Sequence, residues 1–413
     1  MSVVAVTTER VTRDGADRIV AARVSGVRDS PYRLWYRVPA GAALDDVVIG
    51  HALAVSVISQ AMAVGRDIVI DQPLTRGLAM NLDEFQRAWA TWHPDRFRRI
   101  ALRPRALVDD EPCDPSRGAI VGASLGVDSS YSALTLARDG GLAMLVAVRG
   151  LEVALGDAAR WDGLMAGLHA CARSLDRPAV TAATNWEEIA RTCPGYLGYH
   201  LPVMAVLALL SRGAGWGAVP SSYSYAHLVL PLETNPLTDP MLGRPGFPLR
   251  QHGAWARRIE KAAAIAGWPE AVAHLRPCDT PRPDGTACGA CRKCVHTAIM
   301  FAALGLPVPA ALGGAAPSQA AIGTLDVSVY ARLSLTESLD AARARGCREP
   351  WVAAVEGRLA AAGGPVRTPG ERERIERQLR YVLGLGPASA AGRYLRRLGR
   401  AIRGRSRPRD WVD

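Results

Sequence analysis

Short β-branched and aromatic runs punctuate the first third of this chain. Arg18 to Val24 and Tyr32 to Val38 read as strands, and Asp67 to Asp71 (DIVID) resembles another. Between them Asp46 to Val64 is apolar at helical spacing, and Leu82 to Trp92 predicts a second helix. Residues 1–113 are thus expected to form an α+β unit, and the turn-rich stretch Val108 to Arg117 (VDDEPCDPSR) reads as a linker.

From Gly118 the rhythm changes. Ala119 to Ala123 is a short apolar strand, SLGVDSS a turn, Tyr131 to Arg138 a helix closed by Gly140 and Gly141, and Leu142 to Val148 a second buried strand. Strand, turn, helix and strand in this order make a βαβ unit, the seed of a parallel sheet. Ala158 to Leu175 then suits a helix, Ala179 to Ala182 a strand, Tyr199 to Ser211 a helix, Gly217 to Pro220 a strand and His296 to Leu304 a helix. Gly313 to Ala321 is a small-residue loop, and from about Gly323 the pattern is helical with Gly and Pro breaks. The expected architecture is α/β: a parallel doubly wound sheet over 118–310, preceded by the α+β unit and followed by a helical region over 323–413.

Composition adds little to that picture, and charge adds more. With 413 residues, 49% hydrophobic and 22% charged, the chain has the balance of a globular protein with room for two or three domains. Glu9, Arg10, Asp14, Asp17 and Arg18 interrupt any secretory apolar segment. The longest apolar run, Leu201 to Leu210, is about half of a membrane span, so a cytoplasmic protein without transmembrane segments is expected. Of the net charge of +11, +7 falls in residues 371–413, where twelve arginines face Glu371, Glu373, Glu376, Asp410 and Asp413. Arg393 to Arg409 holds eight arginines and no acid, with Leu395, Leu398 and Ile402 at helical spacing. This basic segment suits tRNA, an acidic partner or an anionic membrane, against the plainer alternative of a solvated terminus. Only two of the fifty basic residues are lysine, Lys261 and Lys293.

Candidate chemistry concentrates in two places. Cys278, Cys288, Cys291 and Cys294 lie within seventeen residues as two overlapping C-x-x-C steps and a fourth cysteine upstream. That spacing lets four thiolates converge on one tetrahedral metal, a closed and therefore structural shell. In a reduced compartment metal is favoured over disulfides, and an iron–sulfur cluster is the chemical alternative. Cys113, Cys171, Cys193 and Cys347 are scattered without spacing. The second place is ASLGVDSS, residues 123–130, where a buried strand hands over to a helix N-terminus. Free N–H groups and the helix dipole make such a turn an oxyanion cradle, to which Ser124 and Ser129 add hydroxyl donors. Gly126 lets the chain approach closely or take positive φ, and Asp128 suits an anion site only if it holds Mg²⁺ or orients the nucleotide. The alternative is an ordinary N-cap. Neither a G-x-x-x-x-G-K-[ST] element nor a G-x-G-x-x-G after a strand is present.

ASLGVDSS resembles the S-G-G-x-D-S loop of the PP-loop ATP pyrophosphatases, the adenine nucleotide alpha-hydrolase group. Ser124, Gly126, Asp128 and Ser129 match, Val127 fills the variable position, and Leu125 replaces the first glycine. The cysteine pattern is similar to the zinc site of the 7-cyano-7-deazaguanine synthase branch, and Arg258 to Lys261 (RIEK) resembles the R-x-E-K run that precedes it. The likeness covers about residues 118–305.

The resemblance implies use of ATP and Mg²⁺ with structural Zn²⁺. ATP would adenylate a carboxylate or amide oxygen of a small substrate, releasing pyrophosphate, and a nitrogen nucleophile would then displace AMP. Ser124, Gly126, Val127, Asp128, Ser129 and Ser130 would hold the nucleotide, with Asp128, Ser129 and Lys261 catalytic. For Lys261 the plain alternative is a surface partner on a basic helix. Ser222, Tyr223 and Tyr225 follow a predicted strand, where open α/β sheets place ligands, and Asn185 and Trp186 follow another. Ser222, Tyr225, Arg258 and Asn185 are the substrate candidates. Sulfur transfer to tRNA or a small molecule, and a nucleotide-binding subunit without turnover (suggested by Leu125), are the competing expectations. Trp35, Trp89 and Trp92 are candidates to cover the active site or to form a homodimer contact.

Overall fold

Residues 3–364, apart from 199, 229, 279, 280 and 326, are described by the computed structural model. The arginine-rich segment 393–409 lies outside them. The first unit contains β1 (Val4–Thr8), β2 (Thr12–Asp14), β3 (Asp17–Ser25), β4 (Tyr32–Pro39), α1 (Asp46–Val64), β5 (Ile68–Ile70), β6 (Leu74–Thr75), α2 (Arg76–Trp92), β7 (Leu102–Pro104) and β8 (Leu107–Val108). Then come β9 (Ala119–Gly122), α3 (Val127–Arg138), β10 (Leu142–Arg149), α4 (Ala158–Ser174), β11 (Ala179–Thr184), α5 (Trp186–Ala190), α6 (His200–Leu209), β12 (Trp216–Pro220) and β13 (Leu249–His252). The remaining elements are helical: α7 (Arg258–Ile265), α8 (Pro269–Ala273), α9 (Arg292–Leu304), α10 (Gln319–Gly323), α11 (Val329–Ala344) and α12 (Pro350–Ala361).

Eleven strands join one mixed, mostly parallel sheet in the order β13-β12-β9-β10-β11-β4-β3-β1-β5-β7, with β2 on β3. The first five are mutually parallel. At Ala183↔Arg37 and Thr184↔Tyr36 the antiparallel pair β11–β4 carries the sheet across into the first unit. The two regions thus share a sheet, which the stretch 108–117 does not interrupt.

Side-chain alternation along the strands separates two cores. Ile120, Val146, Ala182 and Val219 point into one, with α1 and α6; Ala119, Val121, Leu145, Ala147 and Ala218 point into the other, with α3, α4, α7 and α9. From β9 the chain steps through α3 and α4 on the second face to β11. It then returns by α6 on the first face to β12, on the far side of β9. Winding reverses between β9 and β12, and the turns after their C-terminal ends diverge there.

Helix α1 is the one helix among the described residues long and apolar enough to cross a membrane. It is instead an interior helix: 83% of its apolar window is buried, and it packs against α6, the apolar run picked out in the sequence. Trp89 does not cover a site or present a contact surface, and Trp92 is half-buried beside it. Trp89 is 2% exposed, with Trp92 edge-on at 5.3 Å, Phe97 at 6.0 Å and His93 stacked at 5.9 Å. They build the core of the first unit.

Buried titratable groups make stability depend on pH. Burial pulls His51 down to about 3, and His200 and His252 to about 4, from 6.5. Burial also pushes Glu337 up to about 7 and Asp239 up to about 6. Between pH 6 and 4.5 the unfolded chain takes up three histidine protons that the fold refuses, while the fold keeps two carboxyl protons that the unfolded chain releases. The unfolded state therefore binds about one proton more, and stability is expected to fall by about 1.4 kcal/mol per pH unit on acidification through this window. Urea melts at pH 6.0 and 5.0 check it; equal midpoints would show that the fold binds as many protons as the unfolded chain in this window, which three neutral buried imidazoles do not allow.

Candidate active site

The residues at 124–130 lie where winding reverses. Helix α3 starts at Val127, four residues before the expected Tyr131, because Gly126 takes an extended N-cap conformation (φ −79°, ψ 171°). No side chain caps this helix, so the N–H groups of its first turn stay available to a ligand. Ser129 Oγ lies 3.4 Å from Ser124 Oγ and donates to the Gly126 carbonyl at 3.2 Å. The positive φ expected of Gly126 sits one residue earlier, on Leu125 (φ +59°). A leucine in this region is strained by about 1–2 kcal/mol, and three contacts hold it there. Its side chain is buried, its carbonyl accepts the Arg276 N–H at 2.8 Å, and its Cδ1 occupies the space that a Cβ on Gly167 of α4 would need, 2.7 Å away.

That last contact carries a prediction. Gly167→Ala places a methyl 2.7 Å from Leu125 Cδ1 and 2.9 Å from His274 Cβ. Overpacking of this kind costs about 1–3 kcal/mol and improved helix propensity returns about 1. A net loss of about 1 kcal/mol is expected in denaturant melts, and a stabilised variant would show that Leu125 is not wedged against α4.

Asp128, in the first turn of α3, meets the first turn of α7. Its Oδ1 lies 3.3 Å from Lys261 Nζ and its Oδ2 3.4 Å from Arg258 Nη2. Lys261 is no surface residue: its side chain is 1% exposed, and Nζ also donates to the carbonyl of Ser221. Burial lowers its pKa, with Asp128 opposing the shift. Glu260, between Arg258 and Lys261, caps α7 by accepting the Arg257 N–H at 2.8 Å. Three residues of RIEK thus have separate tasks, two at the site and one at the helix end. Val127 is fully buried and Ser130 nearly so, which makes them packing residues of the turn.

The loop after β12 forms the neighbouring wall. Ser221 is buried, Ser222 is half-buried, and Tyr225 is 60% exposed with its N–H bonded to the Ala254 carbonyl. Trp255, 58% exposed, stands edge-on to His252 at 4.8 Å. Asn185 is placed elsewhere. Its amide accepts the Trp35 N–H at 2.9 Å and donates to the Arg33 carbonyl at 2.8 Å, fastening β11 to β4 two strands from β9. Trp186 is buried, donating from Nε1 to the Ser56 carbonyl. Neither lines the crevice, because the sheet continues past β11 and consumes them.

The four cysteines converge, with their sulfurs all within 4.8 Å of one another. Zn–S bonds of about 2.3 Å set the edges of a tetrahedral shell at about 3.8 Å. The separations are 3.6 Å for Cys291–Cys294, 3.7 Å for Cys278–Cys291 and 3.9 Å for Cys288–Cys294. An iron–sulfur cluster, whose cysteines bind different irons, would hold them farther apart. Backbone N–H groups face the sulfurs, Ala290 and Cys291 toward Cys288 at 3.4 and 3.2 Å, and Cys288 toward Cys278 at 3.4 Å. Burial works against the Cys288 thiolate, but these donors prevail and bring it to about 7. The set fits one structural metal ion such as zinc. Helix α9 begins at Arg292, so Lys293 and Cys294 lie in its first turn.

Sequence reasoning missed several neighbours. Arg276 is one, buried beside the loop. Glu337 of α11 is another, 9% exposed, 3.4 Å from His227 Nδ1 and 3.8 Å from Arg257 Nε. The C-terminal helices therefore reach the loop after β12 and the start of α7. Nothing local in the sequence signals this. No family model, curated protein or solved structure matches the chain.

Proposed function

We propose that this protein is an ATP-dependent ligase of the PP-loop ATP pyrophosphatase type, its parallel strands forming the doubly wound sheet of that group. The observation that carries the reading is the meeting of Asp128, Lys261 and Arg258 beside the uncapped start of α3, at the switch between β9 and β12. Crevices at such switch points are where open α/β sheets bind ligands. A substrate carboxylate or amide oxygen attacks the α-phosphorus of ATP, the bond to the bridging oxygen breaks, and pyrophosphate leaves with its electron pair. A nitrogen nucleophile then attacks the activated carbon and AMP departs. The first-turn N–H groups of α3 with Ser124 and Ser129 would hold the departing pyrophosphate, and Lys261 and Arg258 would stabilise its growing charge.

Asp128 does not fit a magnesium site on the protein, because its two oxygens face two cations. Its task is to position Lys261 and Arg258, and Mg²⁺ is assigned to the phosphates of ATP. The four cysteines would hold zinc as a scaffold, with no open position for a reacting group.

Acid-dependent ATP–pyrophosphate exchange, screened over small carboxylic acids, tests the reading. Exchange that Asp128→Asn lowers supports it. Exchange indifferent to that change would remove the loop from the chemistry, and ATP binding without exchange for any acid would point to a nucleotide-binding subunit.

A further inference from the structure

Arg276 carries a guanidinium that the residues named so far leave unused. It is 7% exposed, and its Nε and Nη1 are buried without a hydrogen-bond partner among the described residues. A buried cation without partners is costly unless something else supplies them. The same holds for single buried nitrogens of Arg149, at the C-terminal end of β10, and of Arg258. Three arginines at one end of the parallel strands thus offer unfilled donors.

The backbone of Arg276 fixes its place. Its N–H donates to Leu125, and its carbonyl comes within 4.0 Å of where a Cβ on Gly126 would stand. Its charge is felt by Glu152, Asp157 and Arg160, at the end of β10 and the start of α4. Asp157 is already paired with Arg160 at 3.0 Å. Two residues on, Cys278 enters the metal shell, so the cysteine knot holds the segment that delivers the arginine.

We propose that Arg276 is a phosphate-binding residue, receiving the pyrophosphate part of ATP beside the uncapped N-terminus of α3. The inference rests on the ATP-using reading above. It assigns the fork geometry of an arginine, suited to two phosphate oxygens at once, to a position that the loop motif does not include. The cysteine knot thereby acquires a second consequence: it sets the position of an anion-binding side chain as well as that of the loop.

Calorimetric titration of the full chain with inorganic pyrophosphate tests this. Wild type is expected to bind saturably, and Arg276→Met to bind about 10- to 100-fold more weakly with unchanged zinc content and melting temperature. Arg276→Lys, which keeps the stem and the charge but not the fork, is expected to fall between them. A folded Arg276→Met that binds pyrophosphate as wild type does overturns the proposal. Should that variant not fold, wild-type affinity in Arg276→Lys overturns it equally. Wild type that binds neither pyrophosphate nor ATP sinks the ATP-using reading and this inference together. Pyrophosphate binding that depends on Arg276, in a protein without exchange for any acid, keeps the inference and removes only the adenylation step.

Discussion

Lys261→Met is expected to lower acid-dependent ATP–pyrophosphate exchange about 10²- to 10³-fold, the loss seen when one preorganised donor to a developing anion is removed. Methionine matches the length and apolar stem of lysine, so a side chain only 1% exposed can be replaced without opening a cavity. What disappears is the charge. Asp128 then keeps Arg258 alone at 3.4 Å, and the Ser221 carbonyl loses its donor. Lys261→Arg is expected to fare little better, because a planar fork does not fit a pocket closed around one nitrogen. Measuring kcat for exchange with the ATP KM separates the effects. An unchanged kcat with a raised KM would make Lys261 a ground-state binding residue only.

Cys291→Ser is expected to abolish metal binding and to lower the melting temperature by about 5–10 °C. Cys291 has two close sulfur neighbours, Cys278 at 3.7 Å and Cys294 at 3.6 Å. Removing it breaks the four-thiolate shell, and the described residues hold no second cluster of metal-ligating side chains. Cys294 belongs to the second core and Cys278 follows Arg276, so the damage is expected to spread into the packing of α9 and the support of Leu125. Metal analysis alongside thermal melts checks it. A variant that keeps one metal equivalent and its wild-type melting temperature would show that the thiolates are not the ligands.

The elements themselves were largely legible. Apolar spacing gives the helix Asp46–Val64 to the residue and the βαβ unit from Ala119 onward within a few residues, since burial against a sheet imposes the periods that sequence displays. Strands β1 and β13 escape the pattern because they are short, and in β13 a single apolar residue, Leu249, is followed by the polar run Arg250, Gln251 and His252. The cysteine spacing announced a metal shell because all four ligands lie within one short segment. Asn185 was misplaced for the opposite reason: whether a sheet ends or continues past β11 depends on β4, about 150 residues earlier in the chain.

Local order is what this sequence determined by itself: strand and helix periods, the turn at 124–130 and the cysteine knot, all encoded by neighbours along the chain. Tertiary structure alone decided that Lys261 is buried against Asp128, that Leu125 can hold a glycine-like conformation against Gly167, and that Arg276 lies beside the loop. Each of these joins segments more than forty residues apart. Their energies come from burial and charge pairing across the packed cores, which no local pattern records.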